Sequence, residues 1–217
     1  STGNFIYDRT DLEVGGREPF VFRRFYNAIN GREGVLGKDW NHNYEVHLEF
    51  TDGEAVLLRE DGKEERFFWE KDRYLSLFAS EGTLEKAEDG YTYRTREQKV
   101  YRFDREGMCL ETETLLGGRV TFTYETEAPF RLVKAEKDTG EFFAFSYGAD
   151  GMLERVEDHV GRCLSYQYQG GLLKEVTLPD GNTFRYGYTP QGKLEQVENQ
   201  RGIVTVENFF DEEHRTT

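Results

Sequence analysis

The sequence predicts an all-β fold built from antiparallel β-hairpin repeats that join into a curved or spiralling sheet. Three observations carry that expectation. Pairs of aromatics one residue apart recur along the second half: Tyr101 and Phe103, Phe122 and Tyr124, Phe145 and Tyr147, Tyr166 and Tyr168, Tyr186 and Tyr188. Their second members lie 21, 23, 21 and 20 residues apart (103→124→147→168→188), and Gly118, Gly140, Gly161, Gly181 and Gly202 keep the same beat. Long helical periodicity is missing throughout. Such a period signals a stacked array, in which no unit buries its apolar face alone.

Taken in order, Phe20 to Tyr26 and Tyr44 to Phe50 alternate like strands, and Asp52-Gly53 and Asp61-Gly62 are hairpin turns. Arg66 to Trp69 and Tyr91 to Tyr93 continue the pattern, while Ser80 to Asp89 reads as a charged loop. Each later repeat reads as a hairpin. In one copy Phe143, Phe145 and Tyr147 share a strand face and Gly148 to Gly151 turns the chain. A second strand then covers about Arg155 to Asp158, and Val160-Gly161-Arg162 leads to the next copy. Pro129, Pro179 and Pro190 all fall at turns. Leu153 with Val156, Leu173 with Val176 and Leu194 with Val197 are three apart, where one face of a regular strand needs two. Either the Leu packs back from the turn or a bulge resets the register, and the sequence leaves both open. The division is a capping β module over residues 1–70, irregular hairpins over 71–98, and repeats of about 21 residues over 99–217.

Composition narrows the function. The 13 Tyr, 17 Phe and 2 Trp can bury a substantial core, so the chain folds. A net charge of -14 repels polyanions, which argues against nucleic acid or anionic membrane as partner and keeps a β-rich surface soluble. No stretch approaches membrane-spanning length, and no signal peptide is present. The two cysteines, Cys109 and Cys163, sit at different phases of the repeat and read as free thiols.

The unit Tyr-x-Tyr, Gly-bearing turn, Leu-x-x-Val, then Gly resembles the YD repeat of RHS (rearrangement hotspot) proteins. Its namesake Asp follows the second aromatic at Asp104 and Asp211. The stretches Pro19 to Asn27 and Leu36 to Tyr44, with Arg24, Tyr26, Asn27, Gly37, Trp40, His42 and Tyr44 as signature, are similar to the domain preceding the repeats in bacterial RHS and polymorphic-toxin proteins. The resemblance implies a role as a structural, non-catalytic segment of a β-shell enclosing a C-terminal toxin for delivery. The implied partners are further YD repeats and the toxin domain of the same longer chain, secreted or cell-surface in a bacterium. The chain supplies about ten repeat strands, roughly 48 Å of sheet at about 4.8 Å each. A wall around a cargo of ~100 residues needs roughly 140 Å. The chain is expected to be a wall piece, with other pieces closing the shell.

Chemistry is sparse by contrast. No GxSxG or phosphate-cradling glycine loop occurs. His42, His47, His159 and His214 lack metal-ligand spacing, and Asp211-Glu212-Glu213 lacks a calcium-loop pattern. Catalytic, cofactor and metal sites are therefore expected to be none. His42 is expected to fix a loop by hydrogen bonding. The alternative function is a carbohydrate-binding or adhesion surface, with Tyr147, Tyr168 and Tyr188 exposed in rows to stack on sugars.

Overall fold

A computed structural model describes residues 4–76 and 82–208, and among them it contains strands and no helix. Thus no helix of the described residues is long and apolar enough to cross a membrane. Phe210-Asp211, Asp211 to Glu213 and His214 lie outside the described residues.

Two compact units emerge, and one is discontinuous in sequence: residues 1–42 with 144–217, and residues 43–143. These limits differ from the linear division at 70 and 98 that the repeat pattern suggests. The discontinuous unit begins with β1 (Ile6–Val14), β2 (Phe20–Asn27), β3 (Glu33–Gly34), β4 (Gly37–Lys38) and β5 (Trp40–His42). The continuous unit holds β6 (His47–Thr51), β7 (Glu54–Leu58), β8 (Glu64–Glu70) and β9 (Arg73–Ser76). It goes on through β10 (Gly82–Ala87), β11 (Gly90–Thr95), β12 (Val100–Phe103), β13 (Cys109–Glu113), β14 (Arg119–Tyr124) and β15 (Leu132–Lys137). The unit boundary crosses β16 (Phe142–Tyr147). The discontinuous unit then resumes with β17 (Leu153–Asp158), β18 (Cys163–Gln169), β19 (Leu172–Thr177), β20 (Thr183–Tyr188), β21 (Leu194–Asn199) and β22 (Val204–Glu207).

Both units share one construction. In the discontinuous unit a three-stranded cover, ordered β1-β2-β5, packs on a repeat ladder in which β17 to β22 follow in sequence order. In the continuous unit the cover is β6-β7-β8-β9 and the ladder is β10 to β15, again in sequence order. Neighbouring strands among the described residues pair antiparallel, as hairpins require. The continuous unit's core lies between its layers: Val46, Leu48, Leu57 and Phe67 from the cover meet Leu84, Tyr93, Tyr101 and Phe103 from the ladder. One segment departs from expectation. Gly82 to Ala87, read as loop, is strand β10, because its short turn at 88–89 lets it pair with β11 along its whole length.

Three-residue loops close the hairpins. At the loop after β17, the Asp158 carbonyl accepts from Gly161 N–H, and Asp158 N–H donates to the Arg162 carbonyl. The same pattern ends on Gly140, Gly181 and Gly202, each at positive φ, as a type I turn followed by a left-handed residue demands. In the earliest copy that residue is Gly117 and not Gly118, which corrects the glycine series by one position. The Asp of the YD pair acts in the alternate turn, where the Asp104 carboxylate accepts from Glu106 and Met108 N–H at 3.1 and 2.8 Å.

The three-residue spacing of Leu and Val is settled by a bulge. Gln167 pairs with Glu175 and Tyr168 with Leu173, so Lys174 is the extra residue. Val133 and Glu195 stand in the same position in their hairpins. The insertion turns both apolar residues to one face, and Leu173, Val176, Leu194 and Val197 are fully buried. Deleting Lys174 should therefore be far more damaging than Lys174→Ala. The deletion drives Leu173 or Val176 outward, at about 2–5 kcal/mol for a lost core side chain. Urea denaturation of both variants checks this; similar midpoints would contradict it.

Candidate functional site

The strongest concentration of buried polarity lies in the discontinuous unit, where the cover meets the ladder. Strand β2 alternates Phe20, Phe22, Arg24 and Tyr26 inward, so an arginine occupies a core position. Its side chain is fully excluded from solvent, as is that of Asp11. Asp11 reaches it because β1 carries a bulge: Thr10 pairs with Arg23 and Leu12 with Phe22, leaving Asp11 as the extra, inward-aimed residue. Arg24 Nε donates to Asp11 Oδ2, and Nη2 donates to Asp11 Oδ1 at 2.9 Å and to the Tyr186 hydroxyl at 2.9 Å. Tyr166 Oη donates to Asp11 Oδ2 at 3.4 Å.

Aromatic rings box the cation. The guanidinium carbon sits 5.2 Å from the Trp40 ring, 5.4 Å from Tyr186 and 5.8 Å from Tyr166. Burial alone would lower the Arg24 pKa, but the Asp11 carboxylate outweighs it and holds the group charged. Burial pushes the Tyr186 hydroxyl up to about 12, so it stays protonated and neutral beside the cation.

The other signature residues continue the interface. Tyr26 Oη accepts from Leu194 N–H at 2.9 Å, and burial pushes its pKa up to about 12. Trp40 Nε1 donates to Tyr188 Oη at 3.0 Å. Lys193 Nζ donates to the Ala28 carbonyl and pairs with Asp39 at 3.1 Å. Asn27 shapes the turn after β2, its N–H donating to the Asp39 carbonyl and its side chain accepting from Ile29 N–H. Gly37, at φ 93°, lets the backbones touch: a Cβ there would stand 2.6 Å from the Gly171 carbonyl oxygen. His42 is buried, 5.2 Å from the Phe22 ring and stacked on Phe145 at 5.5 Å with 15° between planes. Burial lowers its pKa to about 3, so it packs as a neutral aromatic. Tyr44 belongs to the continuous unit, 6.0 Å from both Phe122 and Phe143.

The continuous unit repeats the theme with other residues. Glu60 receives the Tyr101 hydroxyl at 2.8 Å and pairs with Lys99, and Tyr93 Oη donates to Glu65 at 2.8 Å. Gly107, at φ 94°, takes the place of Gly37: Leu48 N–H donates to its carbonyl at 2.8 Å, and a Cβ would collide with Leu48.

The tyrosines at the second aromatic position are half-buried, and three of them tie hairpin to hairpin. Tyr124, Tyr168 and Tyr188 each donate to the carbonyl of the residue fifteen positions earlier: Cys109 at 2.8 Å, Leu153 at 2.6 Å and Leu173 at 2.7 Å. Tyr147 is likewise half-buried and Phe103 fully buried. Both cysteines are free, Cys109 buried and Cys163 half-buried. Among the described residues no three His, Cys, Asp or Glu side chains gather as a metal site. Sequence reasoning missed Asp11, Glu60, Lys99 and Lys193; an Arg at an inward parity of β2 was the one available sign that a buried counter-charge existed.

The family described as "Domain of unknown function (DUF6531)" matches residues 1–67. "tRNA nuclease WapA" of Bacillus subtilis (strain 168) is 26% identical over 196 residues, covering 89% of this chain and 8% of the relative. "Probable deoxyribonuclease RhsB" of Dickeya dadantii (strain 3937) is 30% identical over 204 residues, covering 89% of this chain and 13% of the relative. This chain thus spans roughly a tenth of the curated relatives it matches. A solved structure, "Crystal Structure of TcdB2-TccC3-Cdc42", aligns over 99% of this chain and 12% of that chain, at TM-score 0.40 and 12% identity.

Two outcomes are expected. Arg24→Met strands Asp11 as a buried unpaired carboxylate and should cost about 3–5 kcal/mol, whereas Asp11→Leu with Arg24→Met should regain most of it. Chemical denaturation of the single and double variants measures both. For pH, the folded His42 pKa near 3 lies below the ordinary 6.5, so the unfolded chain binds the proton first. That contribution is whole above pH 6.5 and falls by up to about 1.4 kcal/mol per pH unit as pH drops toward 3. Glu113 and Glu125, held low by hydrogen bonds from Arg102 and Arg131, begin to add to the loss only as pH falls below their ordinary 4.5, in the lower part of this range. His42→Gln should flatten the loss between about pH 7 and pH 5; an unchanged slope would refute the assignment.

Proposed function

We infer that this chain, a relative of the RHS/YD-repeat toxins, serves as a non-catalytic stretch of a β-walled shell around a C-terminal toxin of the same longer protein. Its partners are then further repeats and that toxin, within a secreted or cell-surface bacterial protein. The observation that carries the reading is where the polarity goes. The buried charges and repeat hydroxyls described above engage one another or the backbone, fastening cover to ladder and hairpin to hairpin. Such bonds stiffen a wall. On this reading the nuclease activities in the names of the relatives belong to the parts of those much longer chains that this chain does not cover.

Two measurements test it. The isolated 217-residue chain should leave tRNA and double-stranded DNA intact; cleavage of either would end the non-catalytic reading. In the longer protein, limited proteolysis should spare the C-terminal segment, and Arg24→Met should expose it. A C-terminal segment digested at the same rate in wild type and variant would overturn the wall.

A second reading, a carbohydrate-binding surface, is favoured by one feature of the continuous unit. Phe50, Tyr91, Tyr74 and Trp69 form a row with centroid spacings of 4.6, 6.1 and 4.9 Å. Phe50 and Trp69 remain 37% and 42% exposed, so their rings offer apolar area to a sugar. The surface moves here from Tyr168 and Tyr188, whose hydroxyls bond inward. A glycan array with hits abolished by Trp69→Ala would support this reading, and silence across the array would remove it.

A further inference from the structure

The first aromatics pack against rings of the cover, Tyr166 on Phe22 and Tyr186 on Trp40 among them, and the tyrosines add a second kind of contact. Where it is tyrosine, its hydroxyl meets a charged side chain of the cover. Tyr101 donates to Glu60 at 2.8 Å, Tyr166 faces Asp11 at 3.4 Å, and Tyr186 accepts from Arg24 at 2.9 Å. Where it is phenylalanine, the neighbour is a ring: Tyr44 at 6.0 Å from Phe122, and His42 stacked on Phe145 at 5.5 Å. Tyr93, outside the five repeat pairs and paired across the ladder with Tyr101, likewise donates to a cover carboxylate, Glu65.

The physical basis is simple. A buried phenol hydroxyl that loses water needs a partner, and a carboxylate or guanidinium supplies the strongest one. Phenylalanine in that place would leave the charge short of a partner. Conversely, a hydroxyl pressed into rings would be stranded. The cover side obeys the complementary constraint, since Arg24 and Asp11 have no solvent to fall back on.

We propose that the first aromatic position is a recognition surface with a two-state address. Tyrosine selects a charged side chain of the cover in addition to its rings, phenylalanine accepts rings without a charge, and together they fix where the cover seats along the ladder. The second aromatic position carries no such charge preference: its hydroxyl donates to the preceding hairpin's backbone, and where it also meets the cover it does so through neutral groups, Tyr188 accepting from Trp40 Nε1 and Tyr168 reaching the Val35 carbonyl. A segment covering further Tyr-first repeats will bring charged residues to them. This deepens the scaffold reading and rests on it in treating the ladder face as an interface.

Double-mutant cycles in the 217-residue chain test the address. Tyr186→Phe should lower the folding equilibrium constant roughly tenfold in wild type, the loss of one buried bond to a charged group. In the Asp11→Leu, Arg24→Met background the same change should be nearly neutral. Tyr101→Phe should show the same contrast between wild type and Glu60→Met, which keeps the test alive in the other unit should the first background not fold. Tyr124→Phe, a second-position control, should cost the same in wild type and in the Glu60→Met background. Equal losses in both backgrounds at Tyr186 and Tyr101 would overturn the proposal. Intact coupling together with an unprotected C-terminal segment would sink the scaffold reading alone.

Discussion

The ion pair of Arg24 and Asp11 is the constraint on which the discontinuous unit depends. Taking both charges out of water is costly, and their attraction compensates only when geometry is close and remaining donors are satisfied. Here a two-point carboxylate contact, two tyrosine hydroxyls and a box of three rings supply most of that geometry, while the buried Arg24 Nη1 has no hydrogen-bond partner among the described residues. Because Tyr166 and Tyr186 belong to the ladder, the pair is complete only when cover and ladder are joined. An apolar interface would tolerate sliding by one repeat; this one ties a charge to one site.

Around that pair the fold applies a few local devices many times. A bulge aims Asp11 inward in the cover, and bulges at Lys174 and Glu195 gather Leu and Val onto the ladder's buried face. Glycines at Gly37 and Gly107 bring cover and ladder backbones into contact in each unit. The second tyrosines stitch successive hairpins at a constant offset of fifteen residues. Each device is a short-range feature whose effect is long-range packing.

Much of this was legible in the sequence, and what was hidden has a physical reason. Hairpins were legible because aromatics at period two and turn glycines are local signals. The signature residues Arg24, Tyr26, Gly37 and Trp40 were legible as a group, but their partners were not. Tyr186 lies 162 residues from Arg24, and no periodicity links them. Asp11 looked like one of 42 acidic residues because a bulge, invisible in sequence, sets its direction. Gly82 to Ala87 misled because charged side chains on a solvent-facing strand resemble a loop. The glycine at 118 misled because two adjacent glycines offered the same turn.

The split of the first unit sets an order on biosynthesis. Residues 1–42 leave the ribosome about a hundred residues ahead of the hairpins that shelter them, a wait of order 5–20 s at ordinary elongation speeds. During that interval Phe22, Tyr26 and Trp40 have no ladder to lie on, and they form the sticky face a holding chaperone would grip. Nascent chains that stall before residue 144 keep that face bare, giving the cell a simple mark by which to recognise and destroy an unfinished product.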